Sequence, residues 1–265
     1  MPTTHPRQAA EVAALLEERF GDDLAALYLY GSYVDGGLRP QSDIDLLGVL
    51  RRPLSAPERS SVMDALLSLS APPGSASSTR PLELTLIVLS DVTPWRHPAR
   101  REFQFGEWLR AELQSDSMPP PQTDPDLALL LTQARAKGMS IKGPAPDALL
   151  PAVPAEDIRR AIATMLPEVA QNWLGEEKHA LLTLARMWIT LQTGDIVAKD
   201  AAASRVSAQL PAEHRPALER ARDVYLGSTP DDWRAWQDRV ASCVGHMAGM
   251  ARRAGWPATP GEEGG

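Results

Sequence analysis

Two short apolar runs joined by a polar stretch limit what this chain can become. Leu24–Tyr30 (LAALYLY) stops at Gly31-Ser32, and Asp43-Ile44-Asp45 opens a second run that continues to Leu50. Both runs read as short buried strands. Side chains on a strand alternate with a period of two, so Asp43 and Asp45 project from one face while Ile44 and Leu46 turn to the core. Two carboxylates on one face repel each other unless a cation lies between them. Mg²⁺ is the natural candidate, because it takes oxygen ligands from one or two carboxylates and completes its shell with substrate phosphates and water. Gly31 permits a tight turn after the first strand, and Ser32 can offer a hydroxyl and a backbone N–H to a phosphate. Each feature alone has a plainer reading, an acidic strand end facing solvent or an ordinary turn. Together with Glu83, an isolated charge on the alternating apolar run 82–89, they supply three carboxylates that can meet on one sheet face.

The rest of the first half alternates helix and strand. Residues 7–20 carry apolar side chains at helical spacing, with Gly21 as a stop. Ser55-Ala56-Pro57-Glu58 has the serine and glutamate of a capping box ahead of an amphipathic helix over 62–69. Residues 71–75 (APPGS) form a loop, and the prolines at 119–121 precede a helical run over 126–136. Pro144, Pro146, Pro151 and Pro154 mark a break, which places a domain boundary near 150. Beyond it, helical period predominates over roughly 156–170, 177–193, 199–210, 213–226 and 230–253, a helical bundle without internal repeat. The tail 257–265 reads as disordered.

With 265 residues, one or two domains are expected. The chain opens Met1-Pro2-Thr3-Thr4-His5 without a basic-then-apolar leader, and no apolar run approaches the roughly 20 residues that span a bilayer. A cytoplasmic protein with no membrane partner is therefore expected. The single cysteine, Cys243, reads as a buried structural thiol. A net charge of −7 repels polyanions, which argues against nucleic acid, and draws cations to any acidic cleft.

At Tyr30-Gly31-Ser32 and Ser42-Asp43-Ile44-Asp45-Leu46-Leu47 the chain resembles the nucleotidyltransferase core shared with DNA polymerase β. Residues 103–110 (FQFGEWLR), 182–186 (LTLAR), Thr193-Gly194 to Lys199-Asp200, and Tyr225-Leu226-Gly227 extend the likeness to the aminoglycoside (3'')(9)-adenylyltransferases, over about residues 20–250. Those enzymes inactivate spectinomycin and streptomycin. The resemblance implies an α+β fold: a nucleotidyltransferase domain of mixed sheet and helices (1–150), then an all-α helical bundle domain (151–256). It implies transfer of AMP from ATP to a drug hydroxyl with release of pyrophosphate, in a cleft between the two, by a two-metal mechanism.

By the same resemblance Asp43 and Asp45 hold two Mg²⁺ ions, and Glu83 is the general base, also able to touch a metal. Gly31, Ser32, Ser42, Arg186 and Lys199 match triphosphate contacts, and Tyr225 an adenine-side contact. Trp108, Glu176 and His179 match the residues that pack against and hydrogen-bond the drug, a negative Glu176 suiting a cationic antibiotic. Glu177 beside it is expected to steer the cation without touching it. One segment departs from the dual-specificity pattern. Only Leu174 and Gly175 separate Trp173 from Glu176, where the dual-specificity enzymes have a longer stretch with a further carboxylate. Trp173 can still stack on the drug, but the shortening resembles the spectinomycin-only (9)-adenylyltransferases and ranks spectinomycin ahead of streptomycin. The other readings are the same fold acting on another small molecule or a protein, and a non-catalytic nucleotide-binding module. The partners expected are ATP and a small cationic drug, with the enzyme a monomer.

Overall fold

A computed structural model describes residues 5–38, 42–75, 79–113 and 119–254. The chain divides into two units, 1–153 and 154–265.

The first unit opens with α1 (Arg7–Phe20), which leads through a short 3₁₀ turn into β1 (Leu24–Tyr30). A second 3₁₀ turn (Gly31–Tyr33) follows, then β2 (Ile44–Leu50), α2 (Ala56–Leu69), β3 (Leu82–Val88) and α3 (Leu89–Val92). Short elements complete it: β4 (Ala99–Arg101), β5 (Phe103–Phe105), α4 (Arg110–Leu113), β6 (Gln122–Asp124), α5 (Leu127–Lys137), β7 (Met139–Lys142) and α6 (Pro146–Leu149). Five strands form one mixed sheet in the order β5-β3-β2-β1-β7, with β2 and β3 parallel and the other neighbours antiparallel. The uninterrupted apolar runs of β1 to β3 are explained by cover on both faces. Leu27, Leu29, Ile44, Leu46, Leu84 and Leu86 pack with α1 and α2, whereas Tyr28, Tyr30, Leu47, Val49 and Ile87 pack with α5. The Ser55 capping box forms as its sequence requires, with Ser55 and Glu58 bonding reciprocally.

The second unit is helical: α7 (Ala155–Gln171), α8 (Glu177–Thr193), α9 (Lys199–Ser207), α10 (Arg215–Tyr225) and α11 (Gln237–Arg253). The apolar side chains of α8 surround its axis, and it packs against all four others, so it is the central helix. The fold is thus the expected α+β arrangement followed by a helical region. Cys243 is fully buried in α11, and burial pushes its thiol up to about 12. The expected helix over 230–253 is corrected: it starts only at Gln237. Ahead of it, Asp231 accepts from Nε1 of Trp233, and Asp232 accepts from the backbone N–H and the guanidinium of Arg234. These local bonds compete with helical ones. The tail 257–265 lies outside the described residues. Among the described residues, no helix is long and apolar enough to cross a membrane.

Candidate active site

Strand register brings the first group together. Tyr30 of β1 lies opposite Asp45 of β2, which in turn lies opposite Glu83 of β3. The three therefore stand in a row on one sheet face, with adjacent strands about 4.8 Å apart. Asp43 immediately precedes β2 and leads the same face, because Ile44 between them points to the other. Neighbouring strand residues are buried while Asp43, Asp45 and Glu83 are only half-buried. Tyr30 reports their proximity: burial, then the charges of Glu83, Asp45 and Asp126, push its phenol well above its ordinary pKa.

The turn after β1 is shaped around Asp45. Gly31 has φ of +67°, and a Cβ there would overlap Oδ2 of Asp45 and lie 2.6 Å from its Cγ. Glycine alone lets the carboxylate reach the turn, where the Ser32 N–H donates to Oδ2 at 3.3 Å. Among the described residues Ser32 Oγ is buried without a hydrogen-bond partner, an arrangement that is costly unless a ligand supplies one. Asp35 holds the turn to α5 by accepting from Gln133 at 2.8 Å and Lys137 at 2.7 Å. Ser42 is buried, and its carbonyl accepts from the Arg80 guanidinium at 3.1 Å.

Trp108 stands at the far edge of this sheet. Leu84 pairs with Phe105, the last residue of β5, and Gly106 follows as the chain leaves the strand. A side chain at Gly106 would collide with the indole of Trp108, which stays 55 % exposed. The turn carrying it is pinned by Glu107, whose carboxylate takes two bonds from Arg110, at 2.6 and 2.8 Å, and one from the Ser70 hydroxyl. That hydroxyl also accepts from the N–H of Leu82, next to Glu83, at 3.0 Å. Although burial works the other way, these donors hold Glu107 below its ordinary pKa.

In the helical unit, Glu176 and His179 line one cavity of about 700 Å³ together with Gly175, Glu177, Lys178, the Asp231–Arg234 loop and Gln237. His179 is exposed at the cavity mouth, yet the protein crowded around it, then the cations of Lys199, Arg186 and Lys178, shift its imidazole below its ordinary value. Arg186 and Lys199 are thus gathered beside it. Arg186 is half-buried among the apolar residues of α8, and Lys199 opens α9. Tyr225 ends α10, and its neighbours Arg222, Asp223 and Leu226 border a smaller cavity of about 340 Å³ with Asp200 and Ser204. Trp173 lies in the turn before α8 and is not among the residues lining the larger cavity.

Among the described residues, no three His, Cys, Asp or Glu side chains close around a single point. Shared-face carboxylates with a phosphate-facing turn still fit Mg²⁺, which needs only one or two of them when phosphates complete its shell. Sequence reasoning missed Asp126, Arg80 and the Ser70–Glu107–Arg110 cluster. Asp124-Pro125-Asp126 repeats the Asp-x-Asp spacing ahead of α5 and was the one available signal. Glu177, expected to steer the cation without touching it, lines the same cavity with its side chain buried and hydrogen-bonded by Gln237.

Fold and site together define a nucleotidyltransferase. The nucleotidyltransferase domain family matches residues 10–104, and the aminoglycoside adenylyltransferase C-terminal domain family matches residues 148–250. A spectinomycin 9-adenylyltransferase of Staphylococcus aureus is 42% identical over 242 residues, 91% of this chain and 93% of its own length. An aminoglycoside (3'') (9) adenylyltransferase of Escherichia coli is 39% identical over 244 residues, again 91% and 93%. The crystal structure of a spectinomycin adenyltransferase from Enterococcus faecialis, with ATP and spectinomycin, superposes with a TM-score of 0.88 at 32% identity, covering 92% of this chain and 98% of that one. The chain belongs to the aminoglycoside adenylyltransferase family.

Proposed function

We propose that this enzyme transfers AMP from ATP to a hydroxyl of spectinomycin, releasing pyrophosphate, with Glu83 as the general base. The observation that carries the reading is the register that sets Glu83 directly opposite Asp45, beside the Gly31-Ser32 turn. The ATP and spectinomycin of the Enterococcus crystal structure support the choice of substrates.

Glu83 accepts the proton of the drug hydroxyl as its oxygen bonds to the α-phosphorus, and the bond from that phosphorus to the bridging oxygen breaks. Two Mg²⁺ ions, held by Asp43, Asp45 and Glu83, would supply the charge that stabilises the attacking and leaving oxygens. The Ser32 hydroxyl, with Ser42, orients the phosphates, while the Ser32 N–H holds Asp45. Arg186 and Lys199 neutralise the triphosphate, and Tyr225 borders the adenine. On the drug side Glu176 accepts from an ammonium group, and His179, kept neutral, accepts a further hydrogen bond. Trp108 and Trp173 offer aromatic faces for the rings. Spectinomycin ranks above streptomycin because the shortened Trp173-Leu174-Gly175-Glu176 segment has no counterpart of the second carboxylate.

Pyrophosphate release, measured with ATP and Mg²⁺ against spectinomycin, streptomycin, tRNA and denatured protein, tests this directly. Spectinomycin should give the highest kcat/KM. Higher efficiency with streptomycin would reverse the ranking, and turnover confined to tRNA or protein would overturn the substrate class.

A further inference from the structure

The cavity around Glu176 and His179 contains a carboxylate that the proposed reaction leaves unused. Glu177 opens α8 but is only 5 % exposed. Its Oε1 accepts two hydrogen bonds, from Nε2 of Gln237 at 2.8 Å and from the backbone N–H of Gly175 at 3.2 Å. Gln237 is the first residue of α11, and Gly175 lies in the turn closed by the Glu176 N–H donating to the Trp173 carbonyl at 2.9 Å. One buried oxygen therefore joins the turn that presents Glu176, the helix start that carries His179, and the start of α11. Burying a carboxylate is costly unless its bonds are made, so this junction has a defined geometry.

We propose that Glu177 is a positioning residue for drug capture: through Gly175 and Gln237 it holds Glu176 and His179 in place without touching the drug. The proposal rests on reading this cavity as the site that receives the cationic drug. A simple staple of the fold would alter stability alone. A positioning residue alters drug affinity through its neighbour.

Steady-state kinetics with ATP, Mg²⁺ and spectinomycin separate the two. Glu177→Ala should raise the KM for spectinomycin about tenfold, as for loss of one charge-assisted hydrogen bond, with kcat and the KM for ATP within about twofold. Glu177→Gln should restore it, because its amide oxygen can accept both bonds and its N–H can donate to Gln237 Oε1, which has no partner among the described residues. In a Glu176→Ala background Glu177→Ala should add less than about twofold. An unchanged KM in Glu177→Ala, independent and multiplying effects of the two substitutions, or a Glu177→Gln enzyme as impaired as Glu177→Ala would each overturn the proposal. Should Glu177→Ala not fold, Gln237→Met removes the same donor at similar volume; a raised drug KM supports the proposal and an unchanged one overturns it. If wild-type enzyme fails to adenylylate spectinomycin at all, the reading of the cavity falls and this inference with it. Turnover by wild type with an indifferent Glu177→Ala removes the inference alone.

Discussion

Replacing Gly31 by alanine should separate catalysis from folding. At φ of +67° a residue with a Cβ costs about 1–2 kcal/mol more than glycine. The added methyl would overlap Oδ2 of Asp45 and lie 2.6 Å from its Cγ. Non-bonded carbons settle about 3.5–4 Å apart, so the carboxylate must retreat by about 1 Å. The 3.3 Å bond from the Ser32 N–H to Oδ2 is lost with that movement. Misplacing a catalytic constellation by about 1 Å costs about 10²-fold in rate. We therefore predict that kcat for pyrophosphate release falls about hundredfold at saturating ATP, spectinomycin and Mg²⁺. The KM for spectinomycin should stay within about threefold, and unfolding free energy in urea should drop by about 2–5 kcal/mol, the backbone and overlap costs together. A folded Gly31→Ala enzyme with kcat within threefold of wild type would refute the claim that the place of Asp45 against this turn matters to the chemistry.

Three further outcomes follow from single residues. Because the protein around it and the cations of Lys199, Arg186 and Lys178 shift the His179 imidazole below its ordinary value, spectinomycin affinity at fixed ATP should show no His179 step near pH 6.5. Calorimetry should find a step at that pH neither in wild type nor in His179→Asn, and a wild-type step that the variant removes would contradict the assignment. The same depression means that this ring binds fewer protons in the native state than in the unfolded chain, so its stabilising contribution is present above the ordinary histidine range and is lost as pH falls below it. Gly106→Val should drive the indole of Trp108 from its seat and raise the KM for spectinomycin about tenfold while leaving that for ATP unchanged; equal effects on both would argue against a drug-side role. Glu102 is buried and accepts from Arg59 and from the N–H of Leu54, so Glu102→Ala should lower unfolding free energy by about 3 kcal/mol in urea, and a loss below about 1 kcal/mol would contradict that account.

What the sequence disclosed depended on how local each determinant is. The seven apolar residues of β1 and the periodic run of α8 bound themselves, and Gly31-Ser32 and Asp43-Ile44-Asp45 could be seen as a pair because they flank one connection. The three- and four-residue strands β4 to β7 could not be seen, because so few residues show no periodicity and owe their form to a partner strand. The 230–236 stretch misled in another way. Trp233, Trp236 and Val240 fall at helical spacing, whereas the Asp231 and Asp232 side chains bond locally and keep the chain out of a helix. The row Tyr30, Asp45, Glu83 required knowledge of strand register. Glu177 and Gln237 are distant in the chain, and nothing in either neighbourhood announces that they meet.

The central claim is that Glu83, facing Asp45 across paired strands, removes the proton of a drug hydroxyl as AMP is transferred. Mass spectrometry of spectinomycin after incubation with ATP, Mg²⁺ and either wild type or Glu83→Gln tests it most directly. Wild type should add one AMP to the drug, and Glu83→Gln should do so at least about 10²-fold more slowly while still binding ATP. A Glu83→Gln enzyme that forms the same product at the wild-type rate would contradict it.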